Sequence, residues 1–568
     1  MAKISFTKKM LTFAANFQRL RMKRLFFATI LCLLTIALQA QQQYPKHEVR
    51  AVWLTTIGGL DWPHSYAQTS YAIENQKREL RLILDQLQQA NVNTVLLQTR
   101  IRGTMIYPSM YEPWDGCLSG KPGVSPGYDA LRFAIDECHK RGMELHAWVV
   151  TIPVGKWNTL GCQRLRQRYP KLILKIGAEG YMDPEAQQTG DYLADICREI
   201  TRNYDIDGIH LDYIRYPETW NRRINLAAGR NNITNIVRKI RNAVKTEKPW
   251  VKMSCSPIGK YDDLTRYWSH GWNARTKVCQ EAQAWLRDGL MDELFPMMYF
   301  RGEQFFPFAI DWAENAYGKI VAPGLGIYMM HPRELNWSFD IFKRELNVLR
   351  EYGMGHTYFR SKFFTENTKG IYRYVSQQLD RFPALVPPMT WQSRVRPLPP
   401  TAMNISNGWL SWSGARDQSR SPYLLYNIYA SHEYPVDVTD ARNLVAARKQ
   451  ENSVVVKSSP QRPLYYAVTA MDRYGNESEP LQMAAPKRKT AAANMLKNDG
   501  RKQQLPERGQ VNDANYIIIE NMAGQMVATR PWQGNTISIA KLPEGVYTVR
   551  SINRKHVTHR LGQFVIKR

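Results

Sequence analysis

The sequence predicts an α/β fold, a (β/α)8 barrel followed by two smaller β domains, and three observations predict it. Between about residues 48 and 365, short apolar runs alternate with amphipathic helical patterns, which marks parallel βα units and not an antiparallel sandwich. Eight such units fit in that stretch, the number a closed barrel needs. After Pro399-Pro400 the pattern changes to closely spaced strands without helices. A doubly wound open sheet is the alternative arrangement, but no Gly-rich phosphate loop follows the first strand.

The eight strands are expected at 50–56, 94–100, 144–151, 208–213, 251–256, 293–299, 320–327 and 356–359. Helices are expected between them at 75–89, 130–141, 191–203, 231–245, 279–288 and 340–352. In the first of these, Leu80, Ile83, Leu84 and Leu87 recur at helical spacing and form the apolar side. The run from Tyr204 to Pro217 is the most informative strand. Ile206, Ile209, Leu211 and Ile214 suit a buried strand, Gly208 lets neighbours approach closely, and Pro217 ends the pairing.

The remaining segments define the domain plan. Residues 1–40 read as a signal peptide, with Arg19, Arg21, Lys23 and Arg24 ahead of the apolar run Leu25 to Leu38. Met22 offers an alternative start for that segment. The barrel is expected at 41–392, a β-sandwich at 393–484, a basic flexible linker at 485–512 and a C-terminal β domain at 513–568. No later stretch reaches about 18 apolar residues, so a transmembrane anchor is not expected. Export implies a secreted, cell-surface or periplasmic location.

The formal net charge is +27, of which the first 40 residues contribute seven Lys or Arg and no acid. Residues 485–568 hold fifteen Lys or Arg against five Asp or Glu. Such a field favours anionic surfaces, and no nucleic-acid-binding motif accompanies it. Six cysteines lie beyond the leader; Cys138 and Cys197 fall in helical patterns that suit buried free thiols. There is no CxxC or Cys/His cluster, so neither a metal nor another cofactor is expected.

Barrel enzymes collect their catalytic groups at the carboxyl ends of the strands. Asp212 is the first candidate, because alternation puts Gly208, His210 and Asp212 on one face with Asp212 uppermost. Arg215 beside it is expected to keep it ionised. Asp207, at the strand's entrance, reads as structural. A second carboxylate is sought at Glu303, after the sixth strand, or at Asp263, after the fifth, with Glu303 nearer its strand end. Flat rings for sugar faces are supplied by Trp53, Trp62, Trp148, Tyr216 and Tyr299, and forked donors by Arg100 and Arg215. Trp62, in the first βα loop, is expected on the exposed rim. His210 is read either as a substrate contact or as a buried hydrogen-bonded side chain.

Several motifs occur together in one order: Glu48-Val49-Arg50-Ala51-Val52-Trp53-Leu54, Gln98-Thr99-Arg100, Leu145-His146-Ala147-Trp148-Val149, Met182-Asp183-Pro184, Asp207 to Tyr213 with Arg215-Tyr216-Pro217, and Asp292 to Tyr299. In this they resemble the bacterial glycosyl-hydrolase-like 10 family, over roughly residues 45–370. The resemblance implies an exported TIM-barrel glycoside hydrolase acting on a polysaccharide, with peptidoglycan glycan strands stripped of peptide as one substrate. Relatives often carry two successive acids where this chain has Asp212-Tyr213. Hydrolysis with Asp212 as nucleophile or base then needs an acid from another loop, or an N-acetyl group on the sugar as nucleophile. The alternative is a carbohydrate-binding or cell-surface scaffold on an inactive barrel. An esterase would need a GxSxG elbow that is absent.

Two further resemblances concern the β domains. Trp409-Leu410-Ser411-Trp412, Tyr426-Asn427-Ile428-Tyr429 and Tyr465 to Ser478 resemble a fibronectin type III domain. Ile519 to Val527, Leu542 to Val549 and Phe564 to Arg568 resemble the sorting domain of type IX secretion cargo, which implies the secretion machinery as a partner.

Overall fold

The computed structural model describes residues 44–220, 225–265, 270–456, 464–483, 502–505, 514–521, 525–534, 536–553 and 558–566. The chain divides into two compact units with the boundary between Met483 and Ala484. The expected signal peptide and most of the expected linker lie outside the described residues.

The first unit is built on a curled parallel sheet of nine strands. These are β1 (Arg50–Leu54), β2 (Thr94–Arg100), β3 (Glu144–Val150), β4 (Gly208–Asp212), β5 (Lys252–Cys255), β6 (Glu293–Leu294), β7 (Ile320–Val321), β8 (Gly324–Leu325) and β9 (His356–Tyr358). Their order is β7-β6-β5-β4-β3-β2-β1-β9-β8. Every residue of β2 and β3 is buried, as expected for strands covered on both faces. At β4, a Cβ on Gly208 would stand 2.6 Å from the His146 ring, so only glycine fits.

The eight expected strands are all present, two of them cut short by proline. The sixth stops at Leu294, because Pro296 has no N–H to continue the ladder. The seventh is broken at Ala322-Pro323 into β7 and β8. That run pairs with β6 through Ile320 and Val321 and with β9 through Gly324 and Leu325. A feature absent from the expectation is a small antiparallel sheet of Pro153–Lys156, Ile173–Ile176 and Glu179–Met182, set in the connection after β3. Its tight turn at Gly177, φ 59°, was its sequence signal.

The helices start where side chains can cap them. Thr69 Oγ1 accepts from the Ala72 N–H at the head of Ser70–Gln89, whose Leu80, Leu84 and Leu87 are buried. Asn225 caps Leu226–Glu247 in the same way. Glu345 is an exception to tidy patterning: it is buried on the helix Phe339–Glu351, and neither carboxyl oxygen has a hydrogen-bond partner. Burial pushes its carboxyl up to about 9, so the folded chain keeps a proton that the unfolded chain releases above pH ~4.5. Stability is therefore lost as pH rises between those values. Glu345→Gln is expected to raise the unfolding free energy by ~3 kcal/mol at pH 7 and to leave it unchanged at pH 4, as read by urea titration.

The entrance ends of the strands carry a buried charge network. Lys252 Nζ is 2.8 Å from Glu144, and His139 Nε2 is 2.8 Å from Asp207. Two arginines from the following β segment complete it: Arg448 donates to Glu144 at 2.9 Å and to Asp207 at 2.6 Å, and Arg473 donates to Asp205 at 2.7 Å. Asp207 is thus structural, as expected. That β segment has a three-stranded sheet of Ala402–Ser406, Trp409–Ser413 and Ser453–Val455, and a four-stranded sheet of Leu444–Lys449, Leu425–Ser431, Tyr465–Met471 and Leu481–Gln482. Leu410 and Trp412 of the first sheet share a core with Tyr426, Ile428, Tyr466 and Val468 of the second.

The second unit holds a four-stranded antiparallel sheet ordered Met526–Pro531, Ala514–Glu520, Gly545–Asn553 and Thr558–Ile566. Within the expected linker, Lys502–Gln504 forms a strand against Thr536–Ser538. Ile517, Ile519, Trp532, Val549 and Phe564 form its core.

All six described cysteines are buried and free. No described helix is long and apolar enough to cross a membrane.

Candidate active site

β4 delivers Asp212 to the carboxyl end of the sheet, where the Thr151 N–H and hydroxyl both donate to its backbone carbonyl. Asp212 is only 7% exposed. Oδ1 accepts from the Tyr213 N–H at 2.8 Å and the Ser256 hydroxyl at 2.9 Å, and Oδ2 accepts from Trp148 Nε1 at 3.1 Å. Burial nevertheless pushes this carboxyl above the ordinary range, against the opposing charge of Arg215 and those three donors. Arg215 is the foremost charge favouring the ionised form of Asp212, as expected, but burial outweighs it. Arg215 is bound to Glu218 through Nη2 and stacks 4.2 Å from the Tyr213 ring centre.

Aromatic groups surround this carboxyl. Tyr213, with φ 53°, turns the chain sharply beside Asp212. Tyr299 is half-buried, and its hydroxyl is held protonated by burial and by the charge of Asp212. Its ring lies 5.5 Å from Phe359 and 6.0 Å from Tyr328. A Cβ on Gly326 would stand 3.1 Å from the Tyr299 ring, so a larger residue there would crowd it.

Several expected substrate contacts are packed away instead. Arg100 is wholly buried, with Nε and Nη2 on Glu112 and Nη1 on the carbonyls of Val150 and Thr151, so it ties the ends of β2 and β3 together. Trp62 is no rim platform: it is buried and donates to the Gln76 carbonyl at 2.8 Å. Tyr216 is buried, with Asn232 donating to its hydroxyl at 3.3 Å. Trp53 is buried and donates to His210 Nε2 at 3.2 Å. An indole N–H can only donate, so His210 carries its proton on Nδ1 and donates to Ser254 Oγ at 3.0 Å. Burial and nearby His146 push that imidazole well below its usual range, so His210 is a neutral core side chain. Of the expected rings, Trp148 acts on Asp212 directly and Tyr299 stands near it.

Neither expected second acid joins this cluster. Glu303 is exposed on the turn Gly302–Gln304 and lines a cavity of about 510 Å³ with Arg301, Phe306 and Arg344. Asp263 accepts from the Gly271 N–H at 3.1 Å and Asn273 at 3.3 Å, bonds that outweigh its slight burial and hold its carboxyl low. Sequence reasoning missed Ser256, although the alternation Ser254, Ser256 at the end of β5 repeats the His210, Asp212 alternation of β4. It also missed Glu218. A groove of about 790 Å³ is lined by loops after β1, β2 and β3, including His64, Arg102, Lys156 and Thr159. Arg102 also acts electrostatically on Tyr213. Among the described residues, Glu48, His356 and Asp380 cluster closely enough for a metal, but Arg50 lies 2.7 Å from Glu48 and Arg350 lies 2.5 Å from Asp380, so guanidinium groups already supply the cations.

A buried, raised carboxyl amid aromatic rings at the carboxyl ends of parallel strands suits sugar chemistry, and the sequence relatives make the class plain: the protein is a glycoside hydrolase. YngK of Bacillus subtilis, a glycosyl hydrolase, is 26% identical over 492 residues, covering 76% of this chain and 92% of the relative. The glycosyl hydrolase DigH of Escherichia coli K12 is 30% identical over 300 residues, covering 46% and 67%. Among solved structures, the glycoside hydrolase domain of PgaB from Bordetella bronchiseptica superposes with a TM-score of 0.40 at 13% identity, covering 58% of this chain and 98% of that one. The chain belongs to the Glycosyl hydrolase-like 10 family, whose model matches residues 48–228 and 224–331.

Proposed function

We propose that this enzyme is exported and hydrolyses O-glycosidic bonds within a bacterial polysaccharide, peptide-free peptidoglycan strands foremost, with Asp212 as the general acid. The carrying observation is the raised, buried carboxyl of Asp212 at the end of β4. Burial makes this carboxyl hold its proton more readily than an exposed one, as protonating the leaving glycosidic oxygen requires. The sequence expectation had Asp212 as nucleophile or base; its burial favours the acid role. Trp148 and the ring of Tyr299 offer apolar surface beside it for a sugar face.

The same reading extends to the architecture. The run Ile320 to Leu325, paired on one side with β6 and on the other with β9, supports a closed (β/α)8 barrel. The three-plus-four strand arrangement supports a fibronectin type III-like sandwich at 393–484. The C-terminal unit serves as a sorting domain for the secretion machinery, which places the enzyme at the cell surface or outside it. The test is reducing-end release from peptide-free peptidoglycan strands, chitin oligosaccharides and poly-N-acetylglucosamine. Release from the peptidoglycan strands is the expected result; cleavage of the other two alone would overturn the substrate assignment.

A further inference from the structure

We propose that Glu218 is the second carboxyl group of the reaction, the base that takes a proton from the attacking water while Asp212 protonates the leaving oxygen. This rests on the reading of Asp212 as the acid. Glu218 follows Asp212 by six positions, on the loop between β4 and the helix Leu226–Glu247.

Four groups on that loop act on one another. Arg215 binds Glu218 directly and is the foremost charge acting on Asp212. Its guanidinium lies over Tyr213, and the charges of both Asp212 and Glu218 reach the Tyr213 hydroxyl. The two acids differ in the way a catalytic pair requires. Asp212 is enclosed and held by three donors, whereas the Glu218 side chain is 44% exposed, open to water, and paired with Arg215.

Arg215 itself distinguishes this cluster from a surface ion pair. A deeply buried arginine with a structural role has most or all of its donors occupied: Arg100 uses all three nitrogens and Arg50 two of them. Arg215 is as deeply buried, yet its Nε and Nη1 have no hydrogen-bond partner among the described residues. One nitrogen holds Glu218, and the other two are enclosed without a hydrogen-bond partner, so the guanidinium stacked on Tyr213 acts on Asp212 through its charge.

The step balances as follows. As the water oxygen bonds to the anomeric carbon, one of its protons passes to Glu218. The bond from that carbon to the glycosidic oxygen breaks, the electron pair stays on the oxygen, and the proton of Asp212 joins it. Proton exchange with solvent then restores both side chains.

The experiment compares wild type, Glu218→Gln, Glu218→Ala and Asp212→Asn on peptide-free peptidoglycan strands, or on whichever glycan of the panel above the wild type cleaves. The Glu218 variants are expected to lose ~10²–10⁴-fold in kcat/KM, to keep the thermal midpoint, and to lose the acidic limb of the pH profile. Added azide is expected to restore turnover to Glu218→Ala, with a glycosyl azide as product. The assignment is overturned if the Glu218 variants keep more than about half of the activity, or lose it with the acidic limb intact and no azide rescue, as a purely structural ion pair would. Undiminished activity in Asp212→Asn would instead overturn the acid assignment on which this one rests.

Discussion

Asp212→Asn is expected to lower kcat/KM by ~10³-fold or more while leaving the fold intact, measured as reducing-end release alongside thermal unfolding. The amide keeps the shape of the carboxyl, and its oxygen can still accept from Ser256 and the Tyr213 N–H. Its nitrogen would face the Trp148 N–H, donor against donor, so the indole must shift. What is lost outright is the proton. The pH profile gives the sharper check. In the wild type the acid must be protonated, so activity falls as pH rises through the Asp212 pKa, and burial places that limb above the usual carboxylate range. Asp212→Asn should lack the limb. Ser256→Ala should move it upward, because the lost hydrogen bond favoured the ionised form. A wild-type limb that stays in place in Ser256→Ala would argue that another group carries the proton.

The contrast between Asp212 and its expected neighbours shows what a sequence can express. Each βα unit is local, so hydrophobic runs and helical spacing were enough to locate β1 to β9 to within a few residues. Alternation was enough to put Asp212 on the inner face at the end of β4. Alternation does not say how deep a side chain lies or what meets it. Alternation assigns Arg100 to the inward face with Gln98, but the register slips by one residue between them, so that Arg100 pairs with Val149 and Glu112, twelve residues on, occupies its guanidinium. Trp62 looked exposed because it sits in a loop, and that loop is closed over the helix Ser70–Gln89. Arg215 was assigned to Asp212 by proximity in sequence, and its charge does reach Asp212, but the chain turn at Tyr213 directs its Nη2 to Glu218. Pairings across longer separations are less legible still: nothing in residues 207 and 448 taken singly announces that they meet.

That last pairing carries a large expected effect on stability. Arg448→Ala is expected to cost ~3–5 kcal/mol of unfolding free energy, because it leaves Glu144 and Asp207 buried with one cationic partner removed from each. Burial opposes ionisation of both acids. For Asp207, Arg448, His139 and Arg473 more than reverse it; for Glu144, Lys252 and Arg448 bring the carboxyl down to about 2. Groups held below their unfolded values contribute stability above the unfolded pKa and lose it as pH falls through the folded one. The gap between wild type and Arg448→Ala should therefore be widest above pH ~5 and should narrow as pH falls toward 2, measured by urea unfolding across that range. Lys252 and Arg473 remain in the variant, so the loss should stay below that of removing all three cations. Because the network lies at the entrance ends of the strands, folded Arg448→Ala should retain wild-type kcat/KM. A pH-independent difference would mean that Arg448 acts through packing of its aliphatic stem, with its charge contributing little.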